Sequence, residues 1–292
     1  MADLVLESTS KANAGATTIT ITKPTGLADG DLMVFAGVSS DQLGDPVTIS
    51  TKSGWTLVNN VGGSGELANI QYKVADSSDA AASNFVFTKS TNGQAAGALF
   101  RISNYFASSL VEDSATATTG AAAVDTTVAL TPSLDFTVQN CLIIAALAVG
   151  DNVSASPATI SAYTSTPTLT WTELVDMEAE FSAGNDVGGS IVYATNSGTT
   201  SLSAFGATLS NGFDDHVLAM VAIRPNYPTS GTNSLLSISV TNFNQAGSSG
   251  VSANSEFLEV TTSTNSQSGQ ATAPIQWTEQ TKEATTWTDK NI

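Results

Sequence analysis

The chain holds one cysteine and one histidine in 292 residues, few charges and no apolar run longer than about ten residues. Each shortage removes a class of function. With Cys141 alone no intrachain disulfide can form, and its place in the run CLIIAALAV reads as a small buried apolar side chain. A closed zinc site wants four Cys or His ligands and a catalytic one about three protein ligands, so zinc is excluded. Ser-His-Asp catalysis would need His216 beside a serine nucleophile, and no serine sits in a G-x-S-x-G elbow. Asp215 precedes His216, but neighbours on a strand point to opposite faces, so His216 reads as a polar residue at a strand edge. The longest apolar run, Cys141 to Val149, is too short to cross a bilayer. The N-terminal MADLVLESTSK, with acidic Asp3 and Glu7, does not read as a secretory signal, so synthesis in a cytoplasm is expected.

Charge is scarce and one-sided. Nine Lys plus Arg face 26 Asp plus Glu, giving a formal net charge of −17, yet only 12% of residues are charged. An acidic surface repels phosphate backbones and anionic lipid, which argues against nucleic-acid and membrane partners. Hydrophobic residues make up 41% of the chain and fall in strand-length runs, the pattern of a folded β protein rather than a disordered one.

What is present is a repeated pattern. An alternating stretch with Ile19 and Ile21 reaches Pro24, turns through Gly26 to Asp31 and enters the apolar run Leu32 to Val38. About 110 residues later Val128 and Leu130 alternate up to Pro132, a turn carries Leu134-Asp135, and the apolar run is Cys141 to Val149. The correspondence continues in order: Trp55-Thr56-Leu57-Val58 with Trp171 to Val175, Ile70-Gln71-Tyr72 with Ile191-Val192-Tyr193, Phe85 to Phe87 with Ala204-Phe205. Asn92-Gly93 then matches Asn211-Gly212, and Arg101 with Asn104-Tyr105 matches Arg224 with Asn226-Tyr227. A run of matches in one order marks a repeated structural unit. The expected fold is therefore all-β, a duplicated, jelly-roll-like β-sandwich over residues 1–227, with copies at about 12–107 and 121–227. The strand count permits two tandem sandwiches or one larger one.

The spaces between strands carry their own expectations. Val47 to Thr51 reads as a short edge strand, Val61 to Glu66 as an exposed loop and Asp79 to Ala82 as at most one helical turn. Ser114 to Ala123 reads as the connection between copies. The second copy has a longer loop, Asp151 to Pro167, and an insertion holding Asp176, Glu178, Glu180 and Asp186, and inserted loops are where recognition is most easily placed. Residues 228–292 form a C-terminal arm with strand candidates at Leu235 to Val240 and Phe257 to Thr261. Trp277 and Trp287, in WT-x-x-T-K and WT-x-K contexts, mark oligomerisation or docking, either folded back on the sandwich or inserted into a neighbouring chain.

Oxygen-only calcium sites have two compact acidic candidates, Asp29-Gly30-Asp31 and Asn211 with Asp214-Asp215, neither with EF-hand spacing; both read as turn-forming residues. Glu173, Asp176, Glu178 and Glu180 supply the carboxylate pair a glycosidase needs by composition alone, and among 26 acids they read as a solvated acidic loop. Trp55, Tyr72, Trp171 and Tyr193 occupy matched places, which points to framework rather than sugar platforms. No catalytic, cofactor or metal residue is assigned.

The pattern P-x-G-L-x-x-G-D-L at Pro24 to Leu32, S-G-W-T-L at Ser53 to Leu57, I-x-Y-K-V-A at Ile70 to Ala75, A-L-F-R at Ala98 to Arg101 and Ala222-Ile223-Arg224-Pro225 resembles a β-sandwich family of tailed-bacteriophage structural proteins. The resemblance covers residues 4–227, and the terminal WTEQTK and TTWT are similar to tails of phage particle proteins. It implies a non-enzymatic virion protein, a capsid decoration protein or a tail or fibre subunit, with no catalytic residues to transfer. Its expected partners are sister subunits, in a cyclic assembly such as a trimer, and other virion proteins. The alternative is a module that binds cell-surface glycan.

Overall fold

The computed structural model describes residues 4–226 apart from 15–16, 41–47, 63–64, 91–93, 120–124, 152–158, 182–184, 197 and 214. The chain divides into two units, Met1–Thr229 and Ser230–Ile292, and the architecture below is that of the first. It is all-β, a stack of antiparallel sheets.

In the first half, β1 (Val5–Ala14), β3 (Leu32–Ser40), β4 (Thr56–Gly62), β5 (Glu66–Val74) and β7 (Gln94–Ser103) form one sheet in the order β1-β7-β3-β5-β4. The remaining strands, β2 (Thr18–Thr22) and β6 (Asn84–Thr88), pair as a small outer sheet. A one-turn helix, α1 (Ser77–Ala81), is capped by Asp76. In the second half, β8 (Val111–Thr119), β11 (Leu142–Asp151), β13 (Thr172–Phe181), β14 (Asn185–Thr195) and β17 (Asp215–Ile223) form the large sheet, in the order β13-β14-β11-β17-β8. The outer sheet is β12-β16-β9, from β9 (Asp125–Leu130), β12 (Ile160–Thr166) and β16 (Ala204–Phe213). Two short strands, β10 (Leu134–Asp135) and β15 (Ser201–Leu202), pair separately.

Alternation decides which layer each residue enters. Leu32, Val34, Ala36 and Val38 point one way from β3 and meet Leu142, Ile144, Ala146 and Ala148 of β11, so the two large sheets pack face to face over one shared core. Met33 and Phe35 point the other way, onto Ile19, Ile21, Phe85 and Phe87 of the outer sheet. Ile143, Ala145 and Leu147 likewise meet Val128, Leu130 and Phe205. The central strands are buried on both faces, and this is why their sequences are continuous apolar runs while β2 alternates Ile in and Thr out.

Read in chain order, β1-β7-β3-β5-β4 and β8-β17-β11-β14-β13 are the same arrangement. Across the central core β3 lies on β11, β5 on β17, β14 on β7, β4 on β8 and β1 on β13. Exchanging the halves maps these contacts onto one another, an approximate two-fold relation. It extends to single residues. Thr56 pairs with Tyr72 and Thr172 with Tyr193, each followed by a bulge, between Leu57 and Asn59 and between Glu173 and Val175. Gly30 (φ 88°) donates to Ala75 O, and Asn140 (φ 59°) to Asn196 O, so both turns need a residue that tolerates the left-handed region.

The structure changes several expectations. Ser114 to Ala123 is not simply a connection: Val111–Thr119 is an edge strand on β17, with Ala115 buried and Thr116 exposed, a period-two pattern written in residues too small to announce it. Each half therefore starts with a strand that boundaries at 12 and 121 cut or omit. Asp151 to Pro167 is not all loop, because β12 adds to β16. The acids at 176–186 lie on the long hairpin β13-β14 rather than on an inserted loop. The loop expected at 61–66 shrinks, since β4 runs to Gly62 and β5 begins at Glu66. The strand expected at 47–51 is reduced to a bridge between Ile49 and Lys89. Asn211 and Gly212 fall within β16 instead of making the turn. Arg101 and Arg224 are also not equivalent in register: Leu32 pairs with Ile102 and Leu142 with Ile223, so Arg101 corresponds to Ala222 and Arg224 to Ser103.

Candidate functional site

The residues with chemical potential are spread through the layers. His216 lies second in β17, between Val149 of β11 and Thr119 of β8, and is 3% exposed, so it is a buried sheet residue rather than a polar residue at an edge. Asp215 is buried as well, and its neighbours' alternation sends it to the opposite face. The Asp29-Gly30-Asp31 turn uses Asp31 internally: one oxygen takes Arg101 Nε at 2.6 Å and the Ala28 N–H at 2.8 Å. In the other calcium candidate, Asp214 and the side chain of Asn211 lie outside the described residues. Among the described residues no group of three or more His, Cys, Asp or Glu is placed to hold a metal ion, and no helix is long and apolar enough to cross a membrane.

The matched aromatics are engaged in packing. Trp55 is buried, edge-on to Phe85 and Phe87 at 6.2 and 5.3 Å. Trp171 is half-buried, edge-on to Phe205 at 5.2 Å, with its indole N–H donating to Ser165 Oγ. Tyr193 packs edge-on to Phe100 from the other half, and Tyr72 borders the same central core. Cys141 is fully buried, and burial pushes its thiol from 9.0 up to about 12, so it stays protonated and unreactive.

Several polar residues escaped the sequence reading. Glu66, 6% exposed, lays its carboxylate over Gly150 of β11, where any Cβ would collide with it, and so ties the first half to the second. Asn69 and Gln71, both fully buried, hold segment 48–52 by side-chain bonds to Ile49 O, Ser50 O and the Lys52 N–H. Tyr163 shares a 2.6 Å bond with Ser190 Oγ, and burial raises its phenol well above the usual range. At the equivalent bulges, Glu7 accepts from Ser103 Oγ while Glu112 pairs with Arg224 at 3.5 Å. A lone Glu or Asn in a Ser- and Thr-rich sequence carries no signal of burial; only the register, once known, would have flagged them.

Among the described residues, two recesses are candidates for a ligand. One is bordered by Thr168 to Thr170, Thr172 and Tyr193 to Thr195. The other crosses the outer sheet of the second half, over Gly206, with Thr131, Thr164 and Thr166 at its rim. Neither gathers an acid, a base and a nucleophile. Of the acids suited by composition to a glycosidase, Glu173 is exposed and Asp176 half-buried, while the side chains of Glu178 and Glu180, like Trp277 and Trp287, lie outside the described residues. No protein-family model, curated protein or solved structure matches this chain.

Proposed function

We propose that this protein is a non-enzymatic structural component of a bacteriophage particle, a capsid decoration protein or a tail or fibre subunit, built by duplication of one jelly-roll-like unit. The supporting observation is how the body is filled. Its two large sheets are spent on each other, its matched aromatics on packing, and its ion pairs on fixing the one-turn helix, a turn and a strand end. What is left to the outside is outer sheet faces and strand edges, surfaces that suit contact with other subunits.

Strand order supports the unit. In each half the strand orders β1-β7-β3-β5 and β2-β6 with the bridge at Ile49, or β8-β17-β11-β14 and β9-β16-β12, are the support for reading a jelly-roll-like unit, an architecture of viral capsid and lectin domains, with β4 and β13 added at the edges of the large sheets. The arm, residues 228–292, docks the body on sister subunits or the particle through Trp277 and Trp287. The test is mass spectrometry of purified particles. Hundreds of copies per particle place the protein on the capsid surface and tens place it in a tail appendage; absence from particles would defeat the proposal.

The glycan-binding alternative rests on the hydroxyl-rimmed recess over Gly206. Retention of the protein on a host-surface glycan array, lost in Gly206→Val, would favour it.

A further inference from the structure

The four edges of the two large sheets are unequally protected. An open edge invites another strand, and proteins blunt such edges with charge, proline or irregularity. Three of the four carry charge: β1 has Glu7 and Lys11, β8 has Glu112 and Asp113, and β13 has Glu173, Asp176, Glu178 and Glu180. The fourth, β4, reads TLVNNVG, with neither a charged residue nor a proline; its bulge between Leu57 and Asn59 has equivalents in β1, β8 and β13, so among the described residues charge is what sets the four edges apart. Its counterpart in the other half is β13, the most acidic edge of the four.

The strand is also held in place. Asn59 reaches across to the second half and donates to Met220 O at 2.8 Å and Ala115 O at 3.2 Å. Val58 and Val61 pack on the central core, while Leu57 is 42% exposed and Asn60 is exposed. Beside it, on the same flank, the uncharged stretch Ser114 to Thr119 of β8 widens the patch.

We infer that β4 is a self-pairing edge: the β4 strands of two copies join antiparallel about a two-fold axis, and their five-stranded sheets become one of ten. The occupant is a second copy because of charge. In a chain of net charge −17, two copies brought together at β8 or β13 set acids near acids, and like charges directly opposite destabilise a strand pair; at β1 the charged side chains are already engaged, Glu7 by Ser103 Oγ and Lys11 on Leu174 O. At β4 two copies meet without such opposition, and an isologous contact needs only this one surface. Main-chain hydrogen bonds supply the join and the paired Leu57 side chains its apolar cover.

The experiment uses the full chain. Sedimentation should give the Leu57→Asp variant half the mass of the unaltered protein at the same concentration, with unchanged thermal unfolding, because this side chain is exposed. The same comparison in a Trp277→Ala/Trp287→Ala background removes the arm's own assembly, so there the factor of two reads β4 alone and failure of the arm proposal leaves the result readable. In parallel, oxidation of Leu57→Cys, at the two-fold axis, should give a cross-linked dimer, whereas Thr20→Cys, exposed on the outer sheet, should not; buried Cys141 does not interfere. Equal masses, or Leu57→Cys cross-linking no better than Thr20→Cys, would overturn the inference.

Discussion

The two halves of the body solve the same problems with different chemistry. Each closes its outer layer with a third segment beside the strand that carries Phe85 or Phe205. In the second half that segment is a true strand, β12, fixed by Ile160 in the core and by Tyr163 on Ser190. In the first half it is a bridge at Ile49, and the amides of Asn69 and Gln71 hold it instead. Asn69 and Ser190 occupy the same register position, as do Gln71 and Val192. The ion pair Asp31–Arg101 is likewise replaced, position for position, by Cys141 and Ala222. The frame is set by alternation and strand pairing; the polar fittings can be exchanged as long as every buried donor and acceptor is met.

That contrast can be broken most strongly at the tryptophans. Trp55→Ala should destabilise by about 4 kcal/mol and Trp171→Ala by about 2–3 kcal/mol, because Trp55 is buried and Trp171 only half so. Urea unfolding midpoints would show it, and a larger loss at Trp171 would reverse the ranking. Next comes the ion pair. Arg101→Ala alone should cost about 3 kcal/mol by leaving Asp31 without its cation, whereas Arg101→Ala with Asp31→Cys, the second half's own residues, should recover most of that loss. If the double variant is as unstable as the single one, the two positions are not equivalent.

Smaller effects sharpen the comparison. Tyr163→Phe should cost about 1 kcal/mol by removing the hydroxyl that meets Ser190. Asn69→Ala should cost more, about 2 kcal/mol, since it removes both the donor to Ile49 O and the acceptor of the buried Gln71 amide. At neutral pH the smallest effect concerns Cys141. Its folded thiol titrates near 12 against 9.0 when free, so the folded state holds its proton more tightly and stability falls as pH rises from about 9 to 12. Cys141→Ala should flatten that part of the pH profile, and a thiol reagent at pH 8 should label the native protein only as fast as it unfolds.

Much of the frame was legible because it is written in large apolar residues. Leu32 to Val38 and Cys141 to Val149 could be placed because a strand buried on both faces is spelled as a continuous apolar run, and the two Trp-Thr starts because each carries a large ring that packs on an outer-sheet phenylalanine. Edge strands were harder. β8, spelled with Ala, Ser and Thr, buries too little to stand out from a linker, and β12 was hidden in a stretch bracketed by Pro157 and Pro167. The choice between tandem and merged sandwiches was not legible at all, because alternation shows that both faces of β3 and β11 are buried but not against what. The same blindness hid Asn59, whose partners lie in the other half, and Glu66, whose carboxylate lies over Gly150 there.

The shared core between the large sheets is the feature on which everything else depends, and native-state hydrogen exchange reads it directly. Amides of Val34 to Val38 in β3 and Ile144 to Ala148 in β11 should exchange with the same free energy, equal to that of global unfolding, because neither sheet can open without exposing the other's buried face. Exchange of one set at a clearly lower free energy, with the other still protected, would mean two sandwiches that unfold independently and would contradict the account.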